Sequence, residues 1–554
     1  MKKLISIMLI LAISISIFAN SITSFSAVET ESTEKGKYCL GDVDMNNKIS
    51  ILDATMLQKY LAKSKDFSKK QIMLADIDES SGLQISDVTL IQLYIAKIST
   101  NYPINADGYT IGQTVEFGES VTTLIDGSEL NDILKEINPD KIIFDYWFEY
   151  KDKLMWETGI RVNNENYSTI RLYTSTEDSI KTVYIVSKDY IYTSDDCYRM
   201  FKSLENLTSI EFNNFNTSNM IEADEMFRNC KSLSKIDLSN FVTDNVTNMK
   251  NMFSGCNSLT ELNVSSFDTS NTTSMYSMFS SCHVLKNLDV STFDTSKVVD
   301  MLGMFSGCTS LTRLDLSNFD TKNVTDMRYM FANCESLRSI DVSSFDTSNV
   351  TDMEEMFYKC FSLDELDLSS FKTPKLRNTS AMFRGCIFES LDLSGFDTSN
   401  VTSMYQMFKS CIKLKELDLS NFDTSKVTNM SEMFNGCNSL SNVNLTSFDT
   451  SNVTYTSYMF EGCTSLTTLD LRSFDTSKVS SMYWMFYYCL DLETIYVSEL
   501  WNTGNVTKSD QMFTFCESLI GGNNTAYNKD NTNDKTYACI DTENQKGYLT
   551  YKTK

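Results

Sequence analysis

Apolar and polar residues recur along most of the chain with a period of 26 positions, except for a step of 25 into Met407 and of 27 into Met512. The segment from Ser310 to Glu335, SLTRLDLSNFDTKNVTDMRYMFANCE, is one copy, and the dipeptide Met-Phe marks each copy. The thirteen dipeptides begin at Met200, Met226, Met252, Met278, Met304, Met330, Met356, Met382, Met407, Met433, Met459, Met485 and Met512. A fixed period of this size is typical of a solenoid, in which each unit buries its apolar edge against the next.

The first half of each unit predicts a short strand and a turn. Leu314 and Leu316 alternate with Asp315, and this period of two is that of a strand with one buried face. Phe319 follows, and then the polar stretch from Asp320 to Asn323, whose residue types bond their own backbone in turns. In-phase strands of successive units are expected to form a parallel ladder about 4.8 Å apart, so thirteen rungs would extend roughly 60 Å.

The second half of each unit changes period. Val324, Met327, Met330, Phe331 and Cys334 follow steps of three and four residues, which favour a short α- or 3₁₀-helix with one apolar face. The predicted fold class is therefore an α/β repeat solenoid, with a parallel strand ladder and short helical returns, beside a smaller helical domain described below.

The apolar positions also carry a family resemblance. Leu311, Leu314, Leu316 and Phe319 form a pattern that resembles the leucine-rich repeat, with Phe where many such repeats have Asn or Cys. The whole unit, LDLSNFDT followed by VT, Met, Met-Phe and Cys at fixed steps, resembles the BspA-like family of bacterial surface leucine-rich repeats over about residues 180–525. The resemblance implies a surface protein that binds partners through its repeats.

The N-terminus predicts export. Two lysines precede the apolar run ISIMLILAISISIFA, so residues 1–27 are typical of a secretory signal peptide. An N-terminal membrane anchor is the alternative, but an apolar run of about 16 residues is short for a membrane span. We expect a secreted, extracellular protein without a membrane span in its mature form.

The net charge and the His and Cys content argue against two kinds of ligand, nucleic acid and zinc. The net charge of −25 argues against nucleic acid, because phosphate binding requires clustered Lys and Arg. A zinc site is not indicated either, since His283 is the one histidine and the sequence has no C-x-x-C pair.

Twelve of the fifteen cysteines occupy one repeat position, from Cys230 to Cys516, and Leu204 takes that place in the first copy. Stacked Cβ atoms about 4.8 Å apart lie outside the usual disulfide range of roughly 3.5–4.5 Å, so a buried stack of free thiols is expected. The sequence does not decide whether Cys39, Cys197 and Cys539 are free or disulfide-bonded.

A second, duplicated module precedes the repeats. GDVDMNNKISILDATMLQKYLAK is followed, 34 residues on, by ADIDESSGLQISDVTLIQLYIAK, and each is a twelve-residue acidic loop leading into an amphipathic helix. Ca²⁺ takes six or more oxygen ligands, from loop positions 1, 3, 5, 7, 9 and 12. Those positions are Asp42, Asp44, Asn46, the Lys48 carbonyl, Ser50 and Asp53, and Asp76, Asp78, Ser80, the Gly82 carbonyl, Gln84 and Asp87.

Two bound Ca²⁺ ions are therefore predicted. Both loops depart from the EF-hand pattern at position 6, where Asn47 and Ser81 replace the usual glycine, and Ser80 is a weak fifth ligand. The alternative is a pair of acidic helix N-termini that hold no ion.

The pair of loops resembles a type I dockerin over about residues 40–98. The resemblance implies an EF-hand-like helical domain and a cohesin partner on a cellulosome-like scaffold, in a context of polysaccharide degradation. The near-symmetry of the two copies suggests two binding orientations. Ile51 and Leu52 depart from the Ser-Thr pair that many dockerins carry. By resemblance, cohesin contact falls on Ile51, Leu52, Gln58, Lys59, Ile85, Ser86, Gln92 and Leu93.

The remaining segment, residues 100–180, predicts mixed secondary structure. Ser128 to Ile137 favours a helix, while Lys141 to Tyr150 and Tyr167 to Tyr173 favour strands. It forms either a cap on the solenoid or a small domain. The predicted domains are a signal peptide (1–27), a linker (28–38), the dockerin (39–99), this cap or small domain (100–180), the repeats (181–520) and a C-terminal cap with a late strand (521–554).

The repeat surface offers three candidate features. The first is a column of acidic residues on the strands. It either attracts a basic partner or cations, or each Asp hydrogen-bonds to a neighbouring Ser or Thr. The second is the outward column before it, which varies from repeat to repeat: Lys235, Glu261, Asn287, Arg313, Ser339, Glu365, Ser390, Glu416, Asn442 and Thr468. The third is an aromatic group near the end of the return face, suited either to stacking on a sugar or partner or to capping: Tyr483, Trp484, Tyr487 and Tyr488.

These features together favour a non-catalytic protein that is anchored through a cohesin and binds an unidentified protein or glycan through its repeats. The alternatives are a polysaccharide-degrading glycoside hydrolase and a structural spacer. A hydrolase needs two carboxylates at a set separation in a cleft. The carboxylates here occur as repeat positions, and no nucleophile elbow, zinc motif or phosphate loop is present in the sequence.

Overall fold

The computed structural model describes residues 37–39, 56, 114–116, 122–150, 160–163, 170–188, 190–530 and 534–553. The chain divides into two compact units, Met1–Ser120 and Val121–Lys554. In the first unit, β1 (Lys37–Cys39) pairs antiparallel with β2 (Thr114–Glu116), and Met56 is helical. Across the described residues, every helix is too short or too polar to cross a bilayer.

The second unit begins with a five-stranded sheet and one helix. The elements are β3 (Thr122–Thr123), α1 (Gly127–Ile137), β4 (Lys141–Tyr146), β5 (Ile160–Arg161), β6 (Ile170–Glu177), β7 (Ile180–Ser187), β8 (Ile191–Tyr192) and β9 (Ser209–Phe212). In the sheet order β5-β6-β7-β4-β9, β4 runs parallel to β7 and β9, and the other pairs are antiparallel. A 3₁₀ turn, Trp147–Glu149, follows β4, and β3 pairs parallel with β8. The predicted helix is confirmed. The strand predicted from Lys141 to Tyr150 is confirmed only as far as Tyr146, and the one predicted from Tyr167 to Tyr173 is confirmed from Ile170 and extends to Glu177.

This sheet is continuous with the repeats, because β7 and β9 are the strands of the repeats marked by Met200 and Met226, and both pair parallel with β4. Phe144 is fully buried and lies with its ring centroid 4.5 Å from that of Phe215 and 6.0 Å from that of Phe201. One buried apolar cluster extends from Leu124 to Leu549. The 26-residue columns and residues 122–188 therefore share one core.

Helix α1 covers the first return. The Asn131 amide donates to the carbonyl oxygens of Met200 and Lys202, at 3.4 and 3.0 Å, in the place where a preceding repeat would donate. The approach is close enough to require glycine, since a Cβ on Gly127 would lie 2.7 Å from the carbonyl carbon of Cys197. These contacts satisfy backbone acceptors at the open end of the array.

Where the repeats form strands, these are parallel and in phase, as predicted, but the ladder is interrupted, since the repeats of Ile236, Leu262, Leu288, Leu366 and Leu391 form no strand. Leu314 pairs with Ile340, and Leu417 with Val443, each exactly one repeat further along. β16 adds the late C-terminal strand, parallel to β15. The strands are β10 (Arg313–Asp315), β11 (Ser339–Asp341), β12 (Glu416–Asp418), β13 (Asn442–Asn444), β14 (Thr468–Asp470), β15 (Thr494–Val497) and β16 (Leu549–Tyr551).

The predicted helical returns are wrong. The N–H groups of Tyr329, Phe331 and Asn333 donate to carbonyl oxygens of the next repeat at 2.9, 2.9 and 2.6 Å. The N–H groups between them, on Met330 and Ala332, close three-residue turns at 3.3 and 3.0 Å. Tyr329 and Asn333 have φ of 58° and 59°, a left-handed conformation that a right-handed helix excludes. Alternate donors therefore link successive returns into a second ladder on this face.

The polar turn after each Phe buries its threonine and bonds it to the neighbouring repeat. Thr295 Oγ1 donates to the Asp320 carbonyl at 3.0 Å and accepts from the Asp320 N–H at 2.8 Å. Asp320 in turn accepts from the N–H of Lys322 at 3.2 Å, as the sequence predicts for a turn of this composition. A column of buried threonines with partners of this kind links each repeat to the next.

The cysteine column is a ladder of free, buried thiols, as predicted. The twelve cysteines from Cys230 to Cys516 are unpaired and fully buried. Each Sγ lies within hydrogen-bonding distance of the carbonyl of the Met-Phe phenylalanine one repeat earlier, as Cys334 does with Phe305 at 3.2 Å. Burial raises the pKa of the Cys308 and Cys360 thiols to about 12. Cys197 is also buried and free, and Cys539 is free and partly exposed.

We expect the ladder thiols to resist alkylation in the folded protein at mildly alkaline pH. At Cys308 and Cys360 a pKa near 12, instead of the ordinary value of about 8.5, lowers the reactive thiolate fraction by about 10³-fold, and burial blocks access to all twelve thiols. Peptide mass spectrometry after iodoacetamide treatment checks this. Cys539 should label first, and concentrated guanidinium chloride should expose the twelve ladder thiols to the reagent. Labelling of Cys334 at the rate of Cys539 in the native protein would contradict the buried ladder.

Candidate functional site

The predicted calcium and cohesin positions lie outside the described residues. This holds for all twelve calcium ligands, from Asp42 to Asp53 and from Asp76 to Asp87, and for the eight cohesin contacts from Ile51 to Leu93. The predicted domain boundaries likewise stay predictions. Within the described part of the chain, no group of three or more His, Cys, Asp or Glu residues is arranged to hold a metal ion.

The acidic column of the strand face bonds its own backbone. Asp315 accepts the N–H of Ser317 at 3.0 Å, and Asp289 accepts that of Ser291 at 3.0 Å. The hydrogen bonds from the N–H and hydroxyl of Ser317 hold the pKa of Asp315 below its ordinary value. Of the two interpretations of this column, the structure supports the one in which each Asp is bonded to its neighbouring serine. The variable column beside it, from Lys235 to Thr468, is exposed throughout.

The return face is the outer surface of the segments that carry Met-Phe. It has a second set of variable positions, which the helix prediction did not identify. Two positions of each return have left-handed φ, the residue before Met-Phe and the second residue after it. No Val, Ile or Thr occurs at either position, which is what left-handed backbone requires of β-branched side chains. Their frequent Gly, Asn and Ser are the sequence signal that could have identified these turns. The side chains at both positions lie outside the core columns, although Glu225, Ala381 and Gln406 are buried.

Near the first repeats, this face holds a buried carboxylate among cations. Glu225 is 5% exposed and accepts from Arg199 at 2.7 Å, from Lys202 at 2.5 Å and from Arg228. Burial lowers the pKa of Lys202, and the charges of Arg199 and Arg228 lower it further. Further along, Lys409 and Tyr405 donate to Glu432 and keep its pKa below the ordinary value although burial opposes this. In the first group three cations share one carboxylate, and in the second Lys409 pairs with Glu432.

Near the last repeats, aromatic rings gather on the return face. We name as the aromatic cluster Tyr458, Tyr483, Trp484, Tyr487, Tyr488 and Phe515. Trp484 stacks on Tyr487 with ring centroids 4.0 Å apart and on Tyr483 at 5.4 Å. Tyr458 meets Tyr483 edge-on at 5.3 Å. The sequence identified four members, and the structure adds Tyr458 and Phe515 from the adjacent repeats.

The outer end of the cluster is open to solvent. Phe515 lies edge-on to Tyr487 and Tyr488, with centroids 5.5 and 5.7 Å apart. Tyr488 is 45% exposed and Phe515 is 41% exposed. The capping role considered from sequence falls instead to Tyr527, whose hydroxyl accepts the N–H of Phe515 at 3.2 Å, and to the buried Tyr548.

Two family models match the chain, one over the repeats and one over the segment with the acidic loops. The family model described as Mycoplasma protein of unknown function, DUF285, matches residues 195–313, 282–389, 378–493 and 412–527. The model of the dockerin type I domain matches residues 40–96. No curated protein matches the chain.

Two solved structures are similar in part. The functional domain of InlJ from Listeria monocytogenes, whose title mentions a cysteine ladder, is 16% identical with a TM-score of 0.18, over 57% of this chain and 62% of that one. A TLR13–ssRNA13 complex is 15% identical with a TM-score of 0.14, over 60% of this chain and 70% of that one. Since the DUF285 matches together cover more than half of the sequence, the chain belongs to the DUF285 family, and it carries a dockerin type I domain before its repeats.

Proposed function

We propose that this chain is a secreted, non-catalytic binding protein. Its dockerin docks in a Ca²⁺-dependent manner onto a cohesin of an extracellular scaffold, and its repeats bind a protein or glycan partner. The observation that carries the proposal is the dockerin match over residues 40–96, which coincides with the two acidic loops. The repeats supply a long surface on a rigid, continuous core, which suits recognition.

The donor set of the loops fits Ca²⁺. All twelve predicted donors, from Asp42 to Asp53 and from Asp76 to Asp87, offer oxygen, which this hard cation prefers, and they stand at EF-hand spacing. When bound, Ca²⁺ neutralises the loop carboxylates and orders the loops. Each loop leads directly into a predicted amphipathic helix, so loop order would orient the cohesin-facing positions Ile51, Leu52, Ile85 and Ser86.

The anchor is tested with the full chain and a panel of immobilised type I cohesins. We expect binding in Ca²⁺ and a loss of about 100-fold or more in a chelator, because loop order depends on the ion. The double variant Asp42→Ala/Asp76→Ala removes the first ligand of both loops, so neither binding orientation survives. Asp315→Ala/Asp341→Ala is the matched control, since it removes two exposed aspartates from the repeats. Binding that persists in chelator, or no binding to any cohesin, would refute the anchor.

The absence of catalysis is part of the proposal and has its own assay. The full chain is incubated with plant cell-wall polysaccharides, with and without Ca²⁺, and reducing ends are counted over time. Release of reducing ends above the rate without protein would replace the binding function with a hydrolase.

A further inference from the structure

The last three returns differ from the rest of the return face in what they present to solvent. Each return has four outward positions, two before Met-Phe and two after it. In the returns of Met459, Met485 and Met512, six of these twelve positions are the aromatic cluster. The other six are Ser457, Glu461, Gly462, Asp510, Gln511 and Thr514. None of the twelve is aliphatic, and none is Lys or Arg.

Four of the six aromatic residues occupy positions that disfavour them. Tyr458, Trp484, Tyr488 and Phe515 have left-handed φ of 59°, 55°, 63° and 66°. This conformation is strained for bulky side chains and free of strain for glycine, which stands at the Tyr488 position in the two preceding repeats, as Gly436 and Gly462.

Packing does not explain this choice, because no member of the cluster belongs to the buried core. The indole N–H of Trp484 is also buried without an acceptor among the described residues. Strained backbone and an unpaired donor, held on a surface that the fold does not need, point to a binding role.

The composition restricts the chemistry of the ligand. An anionic ligand would need cations, and the twelve positions have none. The carboxylates present are Glu461 and Asp510, and burial raises the pKa of Glu461, which accepts from the Asn435 amide. A cationic ligand would need ring faces that converge on one point, but Tyr483, Trp484 and Tyr487 lie nearly parallel, at 18° and 12° to each other. A protein interface of standard size usually adds aliphatic side chains to its aromatic anchors.

We propose that the aromatic cluster binds a neutral glycan chain, with the C–H face of a pyranose ring packed on an exposed ring at Tyr488 and Phe515. Phenol hydroxyls and the Gln511 and Thr514 side chains offer hydrogen bonds to the sugar hydroxyls at the rim. Rings from successive repeats lie side by side along the array, which suits a ligand that itself repeats. The proposal deepens the binding function proposed above and names the ligand class and its place.

Affinity electrophoresis of the full chain in gels containing neutral polysaccharides (xyloglucan, mixed-linkage β-glucan, galactomannan) tests the proposal, with polygalacturonate and chitosan as anionic and cationic probes. We expect retardation by at least one neutral polysaccharide. The variant Tyr488→Gly/Phe515→Gly should weaken it by about tenfold, the loss expected for two stacking rings. Glycine relieves the left-handed backbone at both positions, so the variant should fold. Tyr329→Gly is the matched control, because it removes a left-handed aromatic residue from a distant return and should leave binding unchanged.

Two results would overturn the glycan site: no retardation by any neutral polysaccharide, with or without retardation by chitosan, or retardation of the double variant equal to that of the unaltered protein. A polypeptide partner would then be the next to test. Cohesin binding by the same variants, with and without chelator, separates the two proposals. The double variant should keep Ca²⁺-dependent cohesin binding, and the chelator should leave glycan binding intact.

Discussion

Replacing Phe331 by alanine should lower the free energy of unfolding of the repeat array by about 3–5 kcal/mol, the usual range for removing a buried phenylalanine. Phe331 is fully buried, and its ring stacks with those of Phe305 and Phe357 at centroid distances of 5.8 and 5.4 Å. Its truncation opens a cavity between the rings of Phe305 and Phe357. In a repeat array each unit is stabilised by its neighbours, so the damage should centre on this interface.

Urea denaturation measures the loss, and amide hydrogen exchange locates it. Exchange should accelerate most in the repeats that begin at Ser310 and Ser336. Phe361→Ala is the matched control, since Phe361 lies in the next unit but is 45% exposed, and its truncation should change stability by less than about 0.5 kcal/mol. Similar losses for the two variants would show that the phenylalanine column does not carry the core.

Replacing Glu225 by glutamine should destabilise the first repeats by about 2 kcal/mol. The side chain is almost fully buried, and its carboxylate is the shared acceptor of Arg199, Lys202 and Arg228. Without it, three cations remain close together, and Lys202 already has a lowered pKa from burial and from the two guanidinium groups. Complete loss of a buried partner costs about 3–5 kcal/mol, and we expect less here because the two arginines are partly exposed to water.

Thermal unfolding at neutral pH and moderate salt measures this effect. Glu205→Gln is the control for the change of charge. Glu205 pairs with Lys231 at 2.8 Å, but both side chains are about half exposed, so the loss should stay within about 0.5 kcal/mol. Equal melting temperatures for Glu225→Gln and the unaltered protein would show that water already screens this group of charges.

The strand half of each repeat was predictable because burial of one strand face forces a period of two. Leu314 and Leu316 have one geometrical solution in a stacked array, and the register of β10 with β11 follows from the constant period. The free cysteine stack was predictable for the same reason, since identical spacing places Cys308 directly beside Cys334. Sequence also identified four of the six aromatic cluster residues.

The return half was not predictable from its apolar spacing. Steps of three and four residues at Val324, Met327 and Met330 suit a helix, but they suit a series of three-residue turns equally well. The difference lies in where the N–H groups go, which is a property of neighbouring chains and not of one segment. Locally, the turns are marked by the left-handed backbone at Tyr329 and Asn333, positions where other repeats often have Gly, Asn or Ser.

By itself, the sequence determined the period, the buried columns, the strand register and the oxygen-rich loops, because each follows from residue type at a fixed spacing. The tertiary structure decided how the returns are bonded, which side chain closes the open end at Asn131, and that Tyr458 and Phe515 join the rings of the repeat between them. These depend on hydrogen bonds and contacts between residues about 26 or more positions apart, which local periodicity does not encode.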